Sequence, residues 1–285
     1  MTFTKNPMHI PRDIEIAVIS DIHLGTHACK ARELISYLKS IKPAKLILNG
    51  DIIDSWRFSR SYFPKTHLKI IRLLIKFLEN GTEVIYITGN HDEVMRNLSG
   101  VSFQNLKIVN QLELNLNGIK TWIFHGDFYD RIIHRYKWLA RTGAALYGLM
   151  TVTNKAINKL LSPFGKGPVI IYKTIKEKIK THPDKLSAFE EKIITNARRK
   201  GYGTVICGHT HTPVSKTIQD KNGTLRYLNC GDWVEHCTSA EYTNGIWTLK
   251  TFTSADLSPT YDEPVVLNKK SLYYLMVKEF PRFSN

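Results

Sequence analysis

Five short runs in this sequence combine side chains that bind divalent cations. They are Asp21-Ile22-His23, Asn49-Gly50-Asp51, Gly89-Asn90-His91-Asp92, His125-Gly126-Asp127 and Gly208-His209-Thr210-His211. Carboxylate, amide oxygen and imidazole together suit borderline cations such as Mn, Fe or Zn. Asp21 and His23 are two residues apart, and His209 and His211 repeat that spacing. Residues two apart on an extended chain leave it on the same side, so both members of each pair can leave the strand end toward one side. Gly50, Gly89 and Gly208 stand immediately before candidate ligands. A residue without Cβ permits a tight turn and a close approach of backbone to an ion or a phosphate. Any one of these runs alone is more often a polar turn at a strand end. All five in one chain, each directly after an apolar strand-like run, call for a common purpose.

That purpose requires elements that bring distant residues together. Ile14–Ile19 reads as a buried strand, and residues 29–41 show helical spacing through Ala31, Leu34, Ile35, Leu38 and Ile41. Leu46-Ile47-Leu48 is a second strand. His67–Glu79 is a second helix, with Leu68, Ile71, Leu74, Ile75 and Leu78 on one side and Asn80-Gly81 as its stop. Val84–Ile87 is a third strand, and strands follow at Ile119–Phe124 and Thr204–Cys207. Leu225–Asn229 and Ile246–Thr251 read as closing antiparallel strands. The order implies an α/β fold with parallel βαβ units. In such sheets, sites form beyond the carboxyl ends of the strands, which is where the five runs fall.

The chain has 285 residues, enough for one large domain, and a single domain over 1–285 is expected. Its net charge of +15 is uneven, because residues 131–200 alone carry +12. Such a segment suits an anionic partner: nucleic acid, an acidic membrane surface or a phosphorylated substrate; a solvated basic face is the plainer alternative. A helical insertion at approximately 128–200 interleaves Arg131, Arg135, Lys137, Arg141, Lys155 and Lys159 with Trp138, Leu139, Leu146, Tyr147 and Met150. Basic residues beside large apolar ones suit a membrane-surface helix or a lid over an amphiphilic substrate, though an ordinary amphipathic helix packed on the core shows the same pattern. No apolar run precedes the first strand and no stretch is long and apolar enough to span a bilayer, so a cytoplasmic protein without a leader is expected. Cys29, Cys207, Cys230 and Cys237 lack paired CxxC spacing and read as reduced, buried thiols. Residues 254–285 are weakly patterned.

The order DxH, GDxxD, GNHD, HG and GHxH resembles the calcineurin-like metallophosphoesterases over roughly residues 14–250. The resemblance implies a β-sandwich of two sheets flanked by helices and a pair of divalent cations, Mn first, with Fe or Zn as alternatives. It implies that Asp21, His23, Asp51 and His211 hold one metal, and that Asp51 bridges to a second held by Asn90, His125 and His209. His91 becomes the non-ligand histidine beside the scissile phosphate, and Asp54 the carboxylate that orients it. The physical logic stands beside the family name. Two cations ~3.5–4 Å apart offset the negative charge of a phosphoester and lower the pKa of a shared water. A protonated His91 stabilises charge on phosphorus oxygens or protonates the leaving group. Arg57, three residues past Asp54, can clamp a phosphate; a surface ion pair is the plainer reading. His27, His67, His134, His182 and His236 fit no motif and read as structural or surface histidines.

In more detail the sequence resembles the bacterial UDP-2,3-diacylglucosamine hydrolases. Ser20–Gly25, Gly50-Asp51-Ile52-Ile53-Asp54-Ser55-Trp56, His125-Gly126-Asp127, Cys207–Pro213 and Asn229-Cys230-Gly231-Asp232-Trp233 carry that likeness, together with the long insertion. Members of that subfamily often carry Arg where this chain has His91, so the chain keeps the residue general to the superfamily. The resemblance implies cleavage of a nucleotide-linked lipid's pyrophosphate, yielding UMP and an acylated sugar 1-phosphate, in lipid A synthesis at the inner membrane. A peripheral enzyme on an anionic membrane surface is expected. A nuclease drawn to its substrate by the basic segment, and a non-catalytic scaffold of the same fold, are the alternatives.

Overall fold

The computed structural model describes residues 10–56, 62–130, 186–221 and 223–253. Arg57, most of the insertion, His134, His182 and the tail 254–285 lie outside the described residues. In chain order the elements are β1 (Arg12–Ile19), α1 (Ala31–Ser40), β2 (Ile41–Asn49), α2 (Lys65–Glu79), β3 (Glu83–Ile87), α3 (Glu93–Arg96), β4 (Ser102–Phe103), β5 (Leu106–Val109), β6 (Gln111–Leu116) and β7 (Ile119–Phe124). A 3-10 turn (Asp127–Tyr129), α4 (Ala188–Arg199), β8 (Thr204–Cys207), β9 (Val214–Asp220), β10 (Gly223–Asn229), β11 (Thr238–Thr243) and β12 (Ile246–Thr251) complete the set.

The strands form two sheets: a seven-stranded sheet in the order β12-β11-β1-β2-β3-β5-β4, and a five-stranded sheet in the order β6-β7-β8-β10-β9. β1, β2, β3 and β5 run parallel, as do β7, β8 and β10. The central strands read as continuous apolar runs because both of their faces are covered. In β1, Ile16 and Val18 meet Ile47, Ile85, Ile123, Ile206 and Leu228 between the sheets. Ala17 and Ile19 point the other way, to Leu34, Ile35 and Leu38 of α1 and Ile70 of α2. On the outer face of the second sheet, Trp122, Phe124, Val205 and Tyr227 pack on Ile193 and Ala197 of α4. The result is four layers, helix on sheet on sheet on helix. Helix α4 opens with a capping box, in which the Ser187 hydroxyl accepts the Glu190 N–H at 3.2 Å and the Glu190 carboxylate accepts the Ser187 N–H at 2.7 Å.

Two expectations change. Ile41 does not close the first helix; it opens β2, opposite Arg12. Pro43 explains this, since a proline disfavours helical backbone at the residue before it and leaves the chain extended. Leu225–Asn229 is not simply a closing antiparallel strand. It lies inside the second sheet, antiparallel to β9 but parallel to β8. The four cysteines are free thiols, three of them buried. Among the described residues, no helix is long and apolar enough to cross a membrane.

Candidate metal centre

The five runs follow β1, β2, β3, β7 and β8, and all five meet at one end of the sandwich. There the side chains fall into overlapping groups whose ligand-type atoms lie within 4.8 Å of one another: Asp21, His23 and His211; His23, Asp51 and His91; and Asp51, His125 and His209. Asp51 stands at the centre. Its Oδ2 lies 3.9 Å from both His23 Nε2 and His91 Nε2, and its Oδ1 lies 3.4 Å from His125 Nε2. His211 Nε2 is 3.2 Å from Asp21 Oδ1 and 3.3 Å from His23 Nε2.

The local backbone is shaped for this gathering. Asp21, His23, Asp51, His209 and His211 all have positive φ, between 53° and 67°. Non-glycine residues seldom adopt that region, Asp and His less rarely than most, and such strain concentrates at functional sites. Tertiary bonds hold it in place: Asp21 N–H donates to Gly50 O at 3.0 Å, His23 N–H to Asp51 O at 2.9 Å, and His209 N–H to Asp21 Oδ2 at 3.0 Å. At Gly50, with φ of 80°, an added Cβ would overlap the His125 ring. Asp92 accepts the N–H groups of Ile52 and Ile53 at 3.1 and 2.8 Å, fixing the loop that carries Asp51.

Each imidazole is anchored by one nitrogen and directs the other inward. His23 Nδ1 and His91 Nδ1 lie 3.1 Å from the two different oxygens of Asp54. His125 Nδ1 donates to Asn49 O at 2.9 Å, and His211 Nδ1 lies 3.4 Å from Asp232 Oδ2. His209 uses the opposite nitrogen, with Nε2 3.3 Å from Asp130 Oδ2. Fixing one ring nitrogen sets the tautomer and leaves the other as a lone-pair donor, the usual arrangement around a bound metal.

Charge in the pocket is strongly coupled. Burial works against the Asp51 carboxylate, yet His125, His91 and His23 outweigh it and hold its pKa well below the usual range. Burial likewise disfavours a charged His125 or His211. Asp51 and Asp21 around the first, and Asp21 and Asp232 around the second, prevail and push each imidazole up to about 10. Asp54 is held low in spite of its burial, by His23 and His91. His91 is raised: burial lowers it, but Asp54 and Asp51 more than compensate.

These residues fit divalent cations. Buried Asn90 Oδ1 has no hydrogen-bond partner, although it is a lone-pair-bearing atom at the pocket. Buried polar atoms are rarely left so, and a cation is what this donor set would satisfy. A cleft of about 240 Å³ opens beside them, lined by Asp51, Trp56, Asn90, His91, Asp130, His209, Thr210 and His211.

Asp21, His23, Asp51, Asp54, Asn90, His91, His125, His209 and His211 are thus gathered in one place. Asp54 does more than expected, since it supports His23 as well as His91. Three residues at the site have roles that the motif reading did not give them. Asp232 supports His211 and also His236, whose Nδ1 lies 2.9 Å away. Trp56 covers His91, with ring centroids 4.1 Å apart. Asp130 had a readable signal: Gly126-Asp127-Phe128-Tyr129-Asp130 repeats the Gly-Asp-x-x-Asp spacing of Gly50–Asp54. His67 is structural, as expected, buried and accepting the Gly25 N–H at 3.0 Å.

A two-sheet sandwich with Asp, Asn and His at its strand ends defines a metal-binding hydrolase, and residues 14–213 match the family model "Calcineurin-like phosphoesterase". The chain belongs to the calcineurin-like phosphoesterase family, whose members bind divalent metals. It is similar to a UDP-2,3-diacylglucosamine hydrolase of Vibrio cholerae, 23% identical over 248 residues that cover 81% of this chain and 95% of that protein. Among solved structures it is similar to an archaeal phosphodiesterase, with a TM-score of 0.41 and 15% identity over 83% of this chain and 98% of that one. An E. coli phosphoesterase gives a TM-score of 0.40 and 16% identity over 89% of this chain and 99% of that one.

Proposed function

We propose that this protein hydrolyses a phosphoester or pyrophosphate using two divalent cations, and that its substrate is a nucleotide-linked acylated sugar of the UDP-2,3-diacylglucosamine type. The hydrolytic reading rests on one observation: three overlapping Asp/His groups, joined through His23 and Asp51, converge at the strand ends, with His91 held there by Asp54. Asp21, His23, Asp51 and His211 would hold one cation, and Asp51, Asn90, His125 and His209 the other, with Mn favoured and Fe or Zn compatible. Bound there, the cations supply charge neutralisation and water activation. The protein's own groups do the rest. Asp54 holds His91 through Nδ1, so that Nε2 faces the cleft carrying a proton. His91 then donates a hydrogen bond to a phosphorus oxygen as charge builds there, or transfers that one proton to the departing group and is left neutral. Trp56 lies against His91, ring centroids 4.1 Å apart and planes tilted by 35°, and covers part of the imidazole.

The lipid substrate is supported by the similarity to the V. cholerae enzyme, which spans 95% of that protein. It is also supported by the mixture of basic and large apolar residues between Arg131 and Leu161, suited to a peripheral protein at the cytoplasmic face of an anionic membrane. Mn-loaded protein in detergent should release UMP from UDP-2,3-diacylglucosamine. Salt-sensitive cleavage of DNA or RNA with the lipid left intact would replace the lipid substrate by nucleic acid. No turnover of either substrate, nor of a chromogenic phosphodiester, under Mn, Fe or Zn would leave a scaffold instead.

A further inference from the structure

The five imidazoles of the pocket are anchored unequally. His23 and His91 lean on Asp54, which is 1% exposed, and His211 leans on Asp232, which is 0% exposed. His125 donates to a main-chain carbonyl. His209 differs, because its anchor Asp130 is 33% exposed and lines the cleft itself. Asp130 is nonetheless firmly placed. Its N–H donates to Asp127 O at 3.1 Å, and Tyr129 N–H to Gly126 O at 2.9 Å. The Asp127 carboxylate accepts from Arg96 at 2.5 Å, and the Tyr129 hydroxyl accepts from Asn196 of α4 at 2.5 Å. The backbone of His209 is fixed separately, by its N–H to Asp21 Oδ2. What Asp130 adds is the orientation of the ring, by holding Nε2 and leaving Nδ1 as the free donor atom.

We propose that Asp130 is a positioning residue that sets the affinity of one cation cluster, Asp51–Asn90–His125–His209, and leaves the other unchanged. This rests on the reading that each cluster holds a divalent cation. The selectivity follows from the contacts: His23 and His211 are anchored by Asp54 and Asp232, and neither carboxylate supports His209. Carboxylate partners of ligating histidines typically contribute roughly 10–100-fold to metal affinity. Among the described residues, Asp130 is the carboxylate anchor of these imidazoles that solvent reaches.

Metal-stripped wild type and Asp130→Asn are to be titrated with Mn2+ alone by equilibrium dialysis, with bound metal counted by mass spectrometry. Spin coupling between paired ions, read by electron paramagnetic resonance, reports joint occupancy. Wild type should take up two ions. Asp130→Asn should bind the first as wild type does and the second roughly 10–100-fold more weakly, with coupling appearing only at higher Mn2+. Asp130→Glu, which keeps the carboxylate, should recover much of the loss. Asp130→Ser serves as a second variant in case the amide disturbs folding. Two unchanged steps would overturn the proposal. So would two steps weakened by the same factor, because a general change in field acts on both clusters. A wild type that never takes up a second ion would remove the two-cation reading, and this inference with it.

Discussion

Asp54 has two oxygens and two histidines, and replacing one oxygen by an amide nitrogen separates their roles. The side chain is 1% exposed, and each oxygen lies 3.1 Å from a different Nδ1, that of His23 or that of His91. Asp54→Asn keeps the shape but can accept from only one of the two rings. The other ring then meets an N–H donor and must move its proton from Nδ1 to Nε2. If that ring is His23, its inward lone pair toward Asp21 and His211 is lost, at a cost of roughly 10–100-fold in metal affinity. In either orientation His91 loses the carboxylate that keeps it charged, and general acid catalysis is typically worth roughly 10²–10⁴-fold. With saturating Mn2+ removing the first effect, kcat on a chromogenic phosphodiester should fall by ~10²-fold or more, equivalent to about 2.7 kcal/mol of barrier. The pH profile carries the sign. Asp54 helps raise the His91 pKa, so the active, protonated ring persists to higher pH in the wild type than in the variant. The alkaline limb should therefore shift to lower pH in Asp54→Asn. A kcat within about threefold of wild type, with that limb unmoved, would refute the reasoning.

Asp51→Asn should reduce bound metal from two ions per chain toward none, because both carboxylate oxygens face cluster atoms; elemental analysis near two would count against a bridging role. His91→Ala should keep its metal and lose ~10²-fold or more in kcat, and unchanged turnover would remove His91 from the reaction. In metal-free protein, His125 and His211 are pushed up to about 10 from an ordinary 6.5. Raised imidazoles contribute stability in full below the unfolded pKa and lose it as pH climbs through the folded value. The melting temperature in chelator should thus fall between roughly pH 7 and pH 10, while stabilisation by Mn2+ grows as competing ring protons leave. A chelated melting temperature that is flat or rising over that range would contradict the charge arrangement. Gly50→Ala should lower the unfolding free energy by more than ~2 kcal/mol and with it the urea midpoint, since it adds left-handed strain to an overlap with His125. An unmoved midpoint would show that the turn is not held as described.

The site was legible because its chemistry is written in side chains that have little other reason to follow an apolar strand. The anchors were less so. Asp232 and Asp130 act through a histidine that is remote in sequence, and a carboxylate on a loop looks like any solvated acid until the fold closes. Strands varied for a similar reason. Ile119–Phe124 and Thr204–Cys207 carry the buried apolar runs Trp122–Phe124 and Val205–Cys207, and the sequence reading places both strands to the residue. β11, Thr238–Thr243, is as deeply buried but polar. Its Glu241 is accommodated by Arg12, through two bonds of 3.0 Å, and by the Tyr37 hydroxyl at 3.1 Å. Such a strand becomes recognisable only once its partners are known.

Each cluster draws on both halves of the sandwich. Asp21 and His23 leave β1 of the larger sheet to meet His211 beyond β8 of the smaller; Asp51 and Asn90 leave β2 and β3 to meet His125 and His209 beyond β7 and β8. A cation in either position would act as a rivet between two plates whose inner faces meet mostly through hydrocarbon and which His125 Nδ1 to Asn49 O and His209 N–H to Asp21 Oδ2 already join at this end. Shaving a methyl from Ile47 or Ile206 would loosen the fit of those plates, and weakened retention of a bound cation should then show before unfolding does.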